Sequence, residues 1–492
     1  MMKTSEANTP TYPVGQDPDR WKILSVVLAA IFMSLISVSI VNVALPSIKA
    51  GLSADNSAIQ WVLSGYALTF GVVLVAAGRA GDLLGRGGMF LVGIIVYTTC
   101  SMAAGFAPHA DALNAARFAQ GVGAGLLNPQ GVGMIQQYFQ GKERGRAFGY
   151  FGSTVGIAVA VGPVLGGLLI KLGGPDLGWR LTFLVNLPFG ILAVILGLRW
   201  FPRPLLARVR DPHTGNPIGL RRTIKSFDPL GALLLGAAVL AVLIPFAESA
   251  VSPAVWVLLP IGIILVLAWV KWERRVENAG HSPMVNLDIF THTSFRNGAL
   301  LAALWFAGIT SIWVLLALYF QNVLGHSALV ASVVGIPAAI SSAFSANWAG
   351  KHVTTKGRPI VMAGMVMVLI GLGLTIGIVL AVDRWGISEW FLVLSLTLVG
   401  AGQGAVISPN QTLTLADVPL SYAGSSGAVL QTGQRIGTSV GLTVVTAITF
   451  AVMASNPPAA GIAAGYGAIM AVCLAAFVVG GVDLRQRRSH PN

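Results

Sequence analysis

The chain has 492 residues, 55% of them hydrophobic and only 10% charged, where a soluble domain carries roughly 25%; so few charges cannot cover a soluble protein of this size. Its two cysteines, Cys100 and Cys473, lie in apolar blocks near opposite ends of the chain, which excludes a disulfide framework or a thiolate metal site. The sequence lacks G-x-x-x-x-G-K-[ST], which excludes a P-loop ATPase, and the basic residues behind the net charge of +13 fall in short loops between apolar blocks, which sets membrane topology and argues against nucleic-acid binding.

In chain order, residues 1–21 are polar, have no small-residue cleavage site and read as a retained tail. Fourteen membrane helices are expected from the apolar blocks and the turn and charge breaks between them. They run over 22–48, 57–78, 89–107, 111–136, 147–170, 180–199, 229–247, 254–271, 297–320, 328–349, 359–382, 388–413, 424–453 and 459–482. Of the 31 basic residues, 25 fall on the side of the two termini, four (Lys49, Lys171, Arg180, Arg384) on the other, and Arg117 and Arg435 fall within spans. That asymmetry predicts both termini in the cytoplasm, in a multi-pass protein of a bacterial inner membrane.

Two longer segments on that side, Pro202–Asp228 and Lys271–Arg296, are basic and read either as lipid-headgroup anchors or as a docking surface. The expected division is a tail (1–21), a six-helix bundle (22–200), a cytoplasmic linker (201–228), two extra helices (229–271), a cytoplasmic loop (272–296), a second six-helix bundle (297–482) and a tail (483–492).

A repeat offset by eight spans agrees with this division. Gly78, Gly85 and Arg86 after the second span recur at the same spacing as Gly350, Gly357 and Arg358 after the tenth, with Thr354 where the first copy has Asp82. Gly121-x-Gly123-x-Gly125 before Pro129 likewise resembles Gly400-x-Gly402-x-Gly404 before Pro409, one residue out of register.

Several strings now combine. They are Gly78–Arg86; Arg117-Phe-Ala-Gln120-Gly121-Val-Gly123; Gly152, Gly156, Gly162-Pro163 and Gly166-Gly167 in span 5; Val41-Asn-Val-Ala-Leu-Pro46; Gln60-Trp61 with Tyr66; Asn186-Leu-Pro188; and Tyr319-Phe-Gln321. Across essentially its whole length the chain resembles major facilitator superfamily transporters of the 14-span drug:proton antiporter branch. The resemblance implies an all-α membrane fold with two six-helix bundles and two extra helices, and secondary transport of amphipathic small molecules, chiefly export of drugs or natural products, by alternating access.

It also implies roles for residues. Asp82 and Arg86 would latch the two bundles, with Arg144 and Arg146 as candidate partners; the other reading is an ordinary loop salt bridge. Gly87 and Gly88 depart from the family, which often has another basic residue there. A buried arginine costs about 2.5–3.5 kcal/mol on insertion scales, so Arg117 should meet protein or a watery cavity, or else snorkel towards Asp111. Gly156, Gly162, Pro163, Gly166 and Gly167 would set span 5 closely against the opposite bundle, or serve as generic helix packing.

The most informative feature is an absence. All 18 acidic residues fall in tails, loops or near span ends, and Ser37 stands where the resembled antiporters carry a span-1 aspartate. A cavity without acids but with Arg117 and Arg435 suits neutral or anionic amphiphiles better than lipophilic cations, and it puts proton antiport in question: coupling either uses Asp111 as the proton site or is absent, which would make the protein a facilitator. The residues expected to line the cavity are Ser37, Asn42, Gln60, Trp61, Tyr66, Asn128, Asn186, Tyr319, Gln321, Gln403, Asn410, Gln431, Gln434 and Arg435. No cofactor, metal or nucleic acid is expected, and the protein is read as a monomer among membrane lipids. A lipid or glycolipid flippase and a non-transporting scaffold are the competing readings; the spans hold no nucleophile or His/Asp/Glu constellation for an enzyme.

Overall fold

The computed structural model describes residues 17–207, 219, 223, 226–247, 253–280 and 282–489. Most of the N-terminal tail and the linker residues Arg208, Arg210, Arg221, Arg222 and Lys225 lie outside them. Among the described residues the fold is all helix and turn. The helices are α1 (Arg20–Gly51), α2 (Asn56–Leu84), α3 (Arg86–Gly105), α4 (Ala110–Tyr138), α5 (Gly141–Gly174), α6 (Asp176–Trp200), α7 (Pro229–Ala247), α8 (Leu258–Asn278), α9 (Thr293–Val323), α10 (Ala328–Lys356), α11 (Arg358–Trp385), α12 (Leu392–Thr414), α13 (Ala423–Met453) and α14 (Pro458–Ser489).

Each corresponds to an expected span, and most extend beyond it. Thirteen are long and apolar enough to cross a membrane. The exception, α4, carries Arg117, Gln120, Asn128, Gln130 and Gln136, all buried by neighbouring helices, so it has little need of a lipid-compatible surface. The opposite case is α8, where only 11% of the apolar window is buried and Ile261, Ile263, Ile264 and Leu267 point outward.

The breaks have local causes. Asp55 caps α2 by accepting from the Ala58 N–H at 2.6 Å. The repeated glycines Gly85 (φ +104°) and Gly357 (φ +60°) make the tight turns into α3 and α11 in a conformation other residues rarely adopt. The foot of the bundle, where α1 begins and α14 ends, is the end at which both turns lie; the opposite end is the head.

One large apolar core is built mainly from α1–α6 and another from α9–α14. The two groups meet where α5 crosses α10 and α12, and where α2 and α4 cross α13. Helices α7 and α8 pack on each other, and α7 lies on the seam between α2 and α13. Leu243 faces Gly71 there, and the Thr443 hydroxyl donates to the Phe246 carbonyl at 3.0 Å.

Candidate functional site: the gate and the central cavity

The first copy of the repeated loop joins the two groups of helices at the foot, where a gate is expected. Asp82 sits at the end of α2 with its side chain 1% exposed. It accepts from the N–H groups of Gly424 and Ser425, each at 2.9 Å, and from the Ser425 hydroxyl at 3.0 Å. A carboxylate from the first half thus caps the N-terminus of α13 in the second, where unpaired N–H groups and the helix dipole favour an anion. Arg86 holds the carboxylate at 2.7 Å and donates to Gln137 at 2.8 Å and to the Leu420 carbonyl across the seam.

Backbones nearly touch beside this cap. A Cβ added to Gly78 would lie 2.6 Å from the Gly424 carbonyl oxygen. The second crossing has the same character: a Cβ on Gly350 would lie 2.7 Å from the Gly149 Cα and would also strike the Gly145 carbonyl. Further up, Ser153 donates to the Ala343 carbonyl at 2.6 Å. Near the middle, Gln431 of α13 donates to the Asn128 carbonyl at 3.5 Å. Among the described residues, the hydrogen bonds that join α1–α6 to α9–α14 run from the foot to about the middle of the helices.

Two crevices lie beside these contacts. One is bordered by Gly152 and Gly156 of α5, Trp313 of α9, Ser342 of α10 and Gln403 of α12. The other, smaller one lies within the second half between α9, α12 and α13, with Trp305, Asn410, Gln411 and Gln434 in its wall; Ile407 borders both. The walls are apolar and aromatic with a few amides, a lining suited to amphipathic molecules.

Two guanidinium groups approach one aromatic pair. Arg117 of α4 is fully buried, donating to the Val62 carbonyl at 2.9 Å and to Gln120 at 2.7 Å, with its charge 4.3 Å from the Tyr66 ring centre. Its Nη2 has no hydrogen-bond partner. Arg435 of α13 lies 4.4 Å from the ring centre of Phe70, one turn further along α2. The snorkelling alternative for Arg117 therefore fails: the side chain points into protein, and Asp111 is exposed in the first turn of α4.

Other expectations need correction. Arg144 is not the partner of Asp82, which is bonded to Arg86 and α13; the charge acting on Arg144 is Asp417, and Arg146 donates to Tyr150. The span-5 glycines divide between two neighbours. Gly152 and Gly156 face α10, but Gly162 meets Ser39, Gly166 meets Ile40 of α1, and Gly167 faces open space beside the half-buried Pro163.

Ser37 and Asn186 do not line the pathway. Asn186 donates to Ser37 at 3.4 Å and to Ser101 at 3.0 Å inside the first half, and both residues are buried. Tyr319 is likewise buried in the core of the second half, and Asn410 is held by Arg358 and the Gly298 carbonyl although it reaches the smaller crevice. Asn42 and Gln321 are exposed, Gln60 is half-buried, and Trp61 stacks on Phe118 at 5.7 Å.

Sequence reading missed a network in the foot of the second half. Arg358, the repeat counterpart of Arg86, is 1% exposed, paired with Asp483, and joined by Asn297, Gln486 and Arg487. It also missed the receiving end of the gate, although Gly424-Ser-Ser-Gly427 after a break reads as a helix start. Among the described residues no group of three or more His, Cys, Asp or Glu side chains is placed to hold a metal ion.

Residues 27–442 match the model of the Major Facilitator Superfamily. The chain belongs to that superfamily. It is similar to the probable actinorhodin transporter of Streptomyces coelicolor, with 32% identity over 89% of this chain and 74% of that one. It is also similar to puromycin resistance protein pur8 of Streptomyces alboniger, with 31% identity over 90% of this chain and 85% of that one. The solved human organic anion transporter MFSD10 shares the fold at 14% identity, with a TM-score of 0.62 over 94% of this chain and all of that one. As a major facilitator protein, the chain is a multi-pass membrane transporter, and its paired crossings are contacts between two halves.

Proposed function

We propose that the protein exports small amphipathic natural products or drugs, neutral or anionic, by alternating access between bundles 22–200 and 297–482, with 229–271 as an added helix pair. The observation that carries this reading is the bonded foot: Asp82 of the first half caps α13 of the second, and Ser153 and Gln431 add bonds between the halves up to about mid-helix, beside crevices with aromatic and amide walls. With both termini in the cytoplasm, this arrangement is the cytoplasm-closed state of a monomer in a bacterial inner membrane. The names of the Streptomyces relatives, a transporter of one antibiotic and a resistance protein for another, support antibiotic-like cargo.

Preference for neutral or anionic cargo follows from the charges. Each described acidic residue lies in a loop or within two turns of a helix end, while Arg117 keeps a bare Nη2 among aromatic rings. The test is accumulation of fluorescent anionic, neutral and cationic amphiphiles in cells lacking other exporters. Lower accumulation of the first two on expression supports the reading, and export restricted to cations overturns it. Export that persists with a proton uncoupler would remove proton antiport and leave the cargo assignment standing.

A further inference from the structure

A buried acidic pair lies beneath the extra helices, beside the gate. Asp228, where the chain enters α7, is 5% exposed; it accepts from the Gly231 N–H at 3.1 Å and from the indole N–H of Trp272 at 2.9 Å. Glu273 of α8 is 0% exposed and accepts from the Met284 N–H at 3.0 Å through Oε2. Its other oxygen, Oε1, has no hydrogen-bond partner, and the Trp269 indole flanks the carboxyl. Gly231 separates the two acids: a Cβ there would lie 3.0 Å from Glu273 Oε1 and would strike Asp228 Oδ2.

We propose that Asp228 and Glu273 share one proton, forming a proton-binding site at the foot of α7 and α8 that acts on the α2–α13 gate through Arg79.

Three features support the site. Two carboxylates a few ångströms apart and out of water do not both stay ionised. Both acids receive N–H groups, Asp228 from Gly231 and the Trp272 indole and Glu273 through Oε2 from Met284, but Glu273 Oε1 has no partner. A proton on that oxygen removes the charge from the acid that has an unpartnered buried atom, on the side of Gly231 where Asp228 lies. The local charge count agrees. Arg79 of α2 is 4% exposed, lies within electrostatic reach of Asp82, Tyr422, Glu273 and Asp228, and has an Nε with no hydrogen-bond partner.

Three buried acids, Asp82, Asp228 and Glu273, thus face two guanidinium groups, Arg79 and Arg86, and one proton balances these five. Lys271, Arg274 and Arg275 lie on the exposed face of α8. Arg79 stands one turn from Asp82 and donates towards the Ser226 carbonyl at 3.4 Å. Loss of the proton adds a negative charge on the side of α7 and α8, drawing Arg79 from Asp82 and so changing the field on the carboxylate that caps α13.

The site is tested by infrared pH titration of the purified full chain. The proposal predicts a protonated-carboxyl band at neutral pH that disappears in Glu273→Gln. In Asp228→Asn, relief of the repulsion should lower the band's titration midpoint by about one pH unit or more. A wild-type protein without the band, or a band unchanged in both variants, overturns the site; Asp228→Asn keeps the test decisive if Glu273→Gln fails to fold.

The link to the gate rests on the export reading, so it has its own readout: the pH profile of amphiphile transport in proteoliposomes. A profile flattened in Glu273→Gln with transport retained supports the link, and an unchanged profile overturns it. A titrating band in a protein that moves no amphiphile would leave the proton site standing and remove the export reading.

Discussion

The two crossings between the halves are copies of one device with different endings. At the first, Gly78 of α2 meets Gly424 of α13; at the second, the equivalent Gly350 of α10 meets Gly145 of α5. The last turns then diverge. Asp82 is buried and bonded to the start of α13, whereas its counterpart Thr354 is exposed. Arg86 reaches across the seam, but Arg358 turns back into its own half to meet Asp483 and Asn410. One copy of the loop therefore joins the halves and the other secures a single half, so the latch role proposed for this loop falls to the first copy.

This contrast assigns different consequences to equivalent residues. The largest effect is expected at Arg358, which is a stability residue in this account. Arg358→Gln leaves Asp483 buried with only Arg487 opposite and removes donors from Asn410 as well. Loss of one partner of a buried ion pair costs about 3–5 kcal/mol, so melting in detergent should fall sharply. Full stability in this variant would break the contrast.

Asp82→Asn comes next and should act on conformation. It keeps the shape of the cap but removes the charge, and a hydrogen bond to a charged group contributes about 1.5–3 kcal/mol. The balance between closed and open gates should move by about 10- to 100-fold. Spin-label distances between the foot ends of α2 and α13 would report a wider population, with melting less affected than in Arg358→Gln. An unchanged distance distribution would mean that the cap is not a latch.

Much of this was legible in the sequence, for stated reasons. The membrane helices follow from long apolar blocks, and even the polar α4 is bounded by breaks. The Gly78–Arg86 repeat pointed to two related bundles because a tight turn demands glycine at Gly85 and Gly357, but not to the second crossing at Gly350. Partners were not legible. Asp82 meets a helix start more than 340 residues away, which no spacing predicts. Helix faces were hidden too: the Ser37 hydroxyl and the Asn186 amide look like cavity groups until α1, α3 and α6 close around them. Asp483, Arg358 and Glu273 read as loop charges because hydropathy ends a span where charges begin. The helices continue past that point and bury those charges in the foot.

Glycine at the second crossing supplies a smaller perturbation. In Gly350→Ala the added methyl meets the Gly145 carbonyl and the Gly149 Cα, backbone atoms that cannot swing aside. Overpacking of this kind costs about 1–3 kcal/mol. It falls only on the closed arrangement, so the gate should open at the α5–α10 seam while each half stays folded. Cysteine labelling at Ser153, whose hydroxyl is spent on Ala343 when the seam is closed, would read this as faster modification.

The smallest effect is predicted at Thr354, and it tests the contrast most directly. If position 82 mattered only for its place in the repeat, Thr354→Ala would disturb transport much as Asp82→Ala does. The surroundings argue otherwise. Thr354 is exposed on the last turn of α10, and α5 begins there with Gln140 making no side-chain cap and Glu143 already paired with Arg20 at 3.1 Å. An exposed threonine without a structural task changes stability by no more than about 0.5 kcal/mol when truncated, so transport rate and melting temperature should both match the unaltered protein. A large loss in Thr354→Ala would mean that the second crossing has a latch of its own, and that the asymmetry between the halves is a feature of this conformation and not of the two sequences.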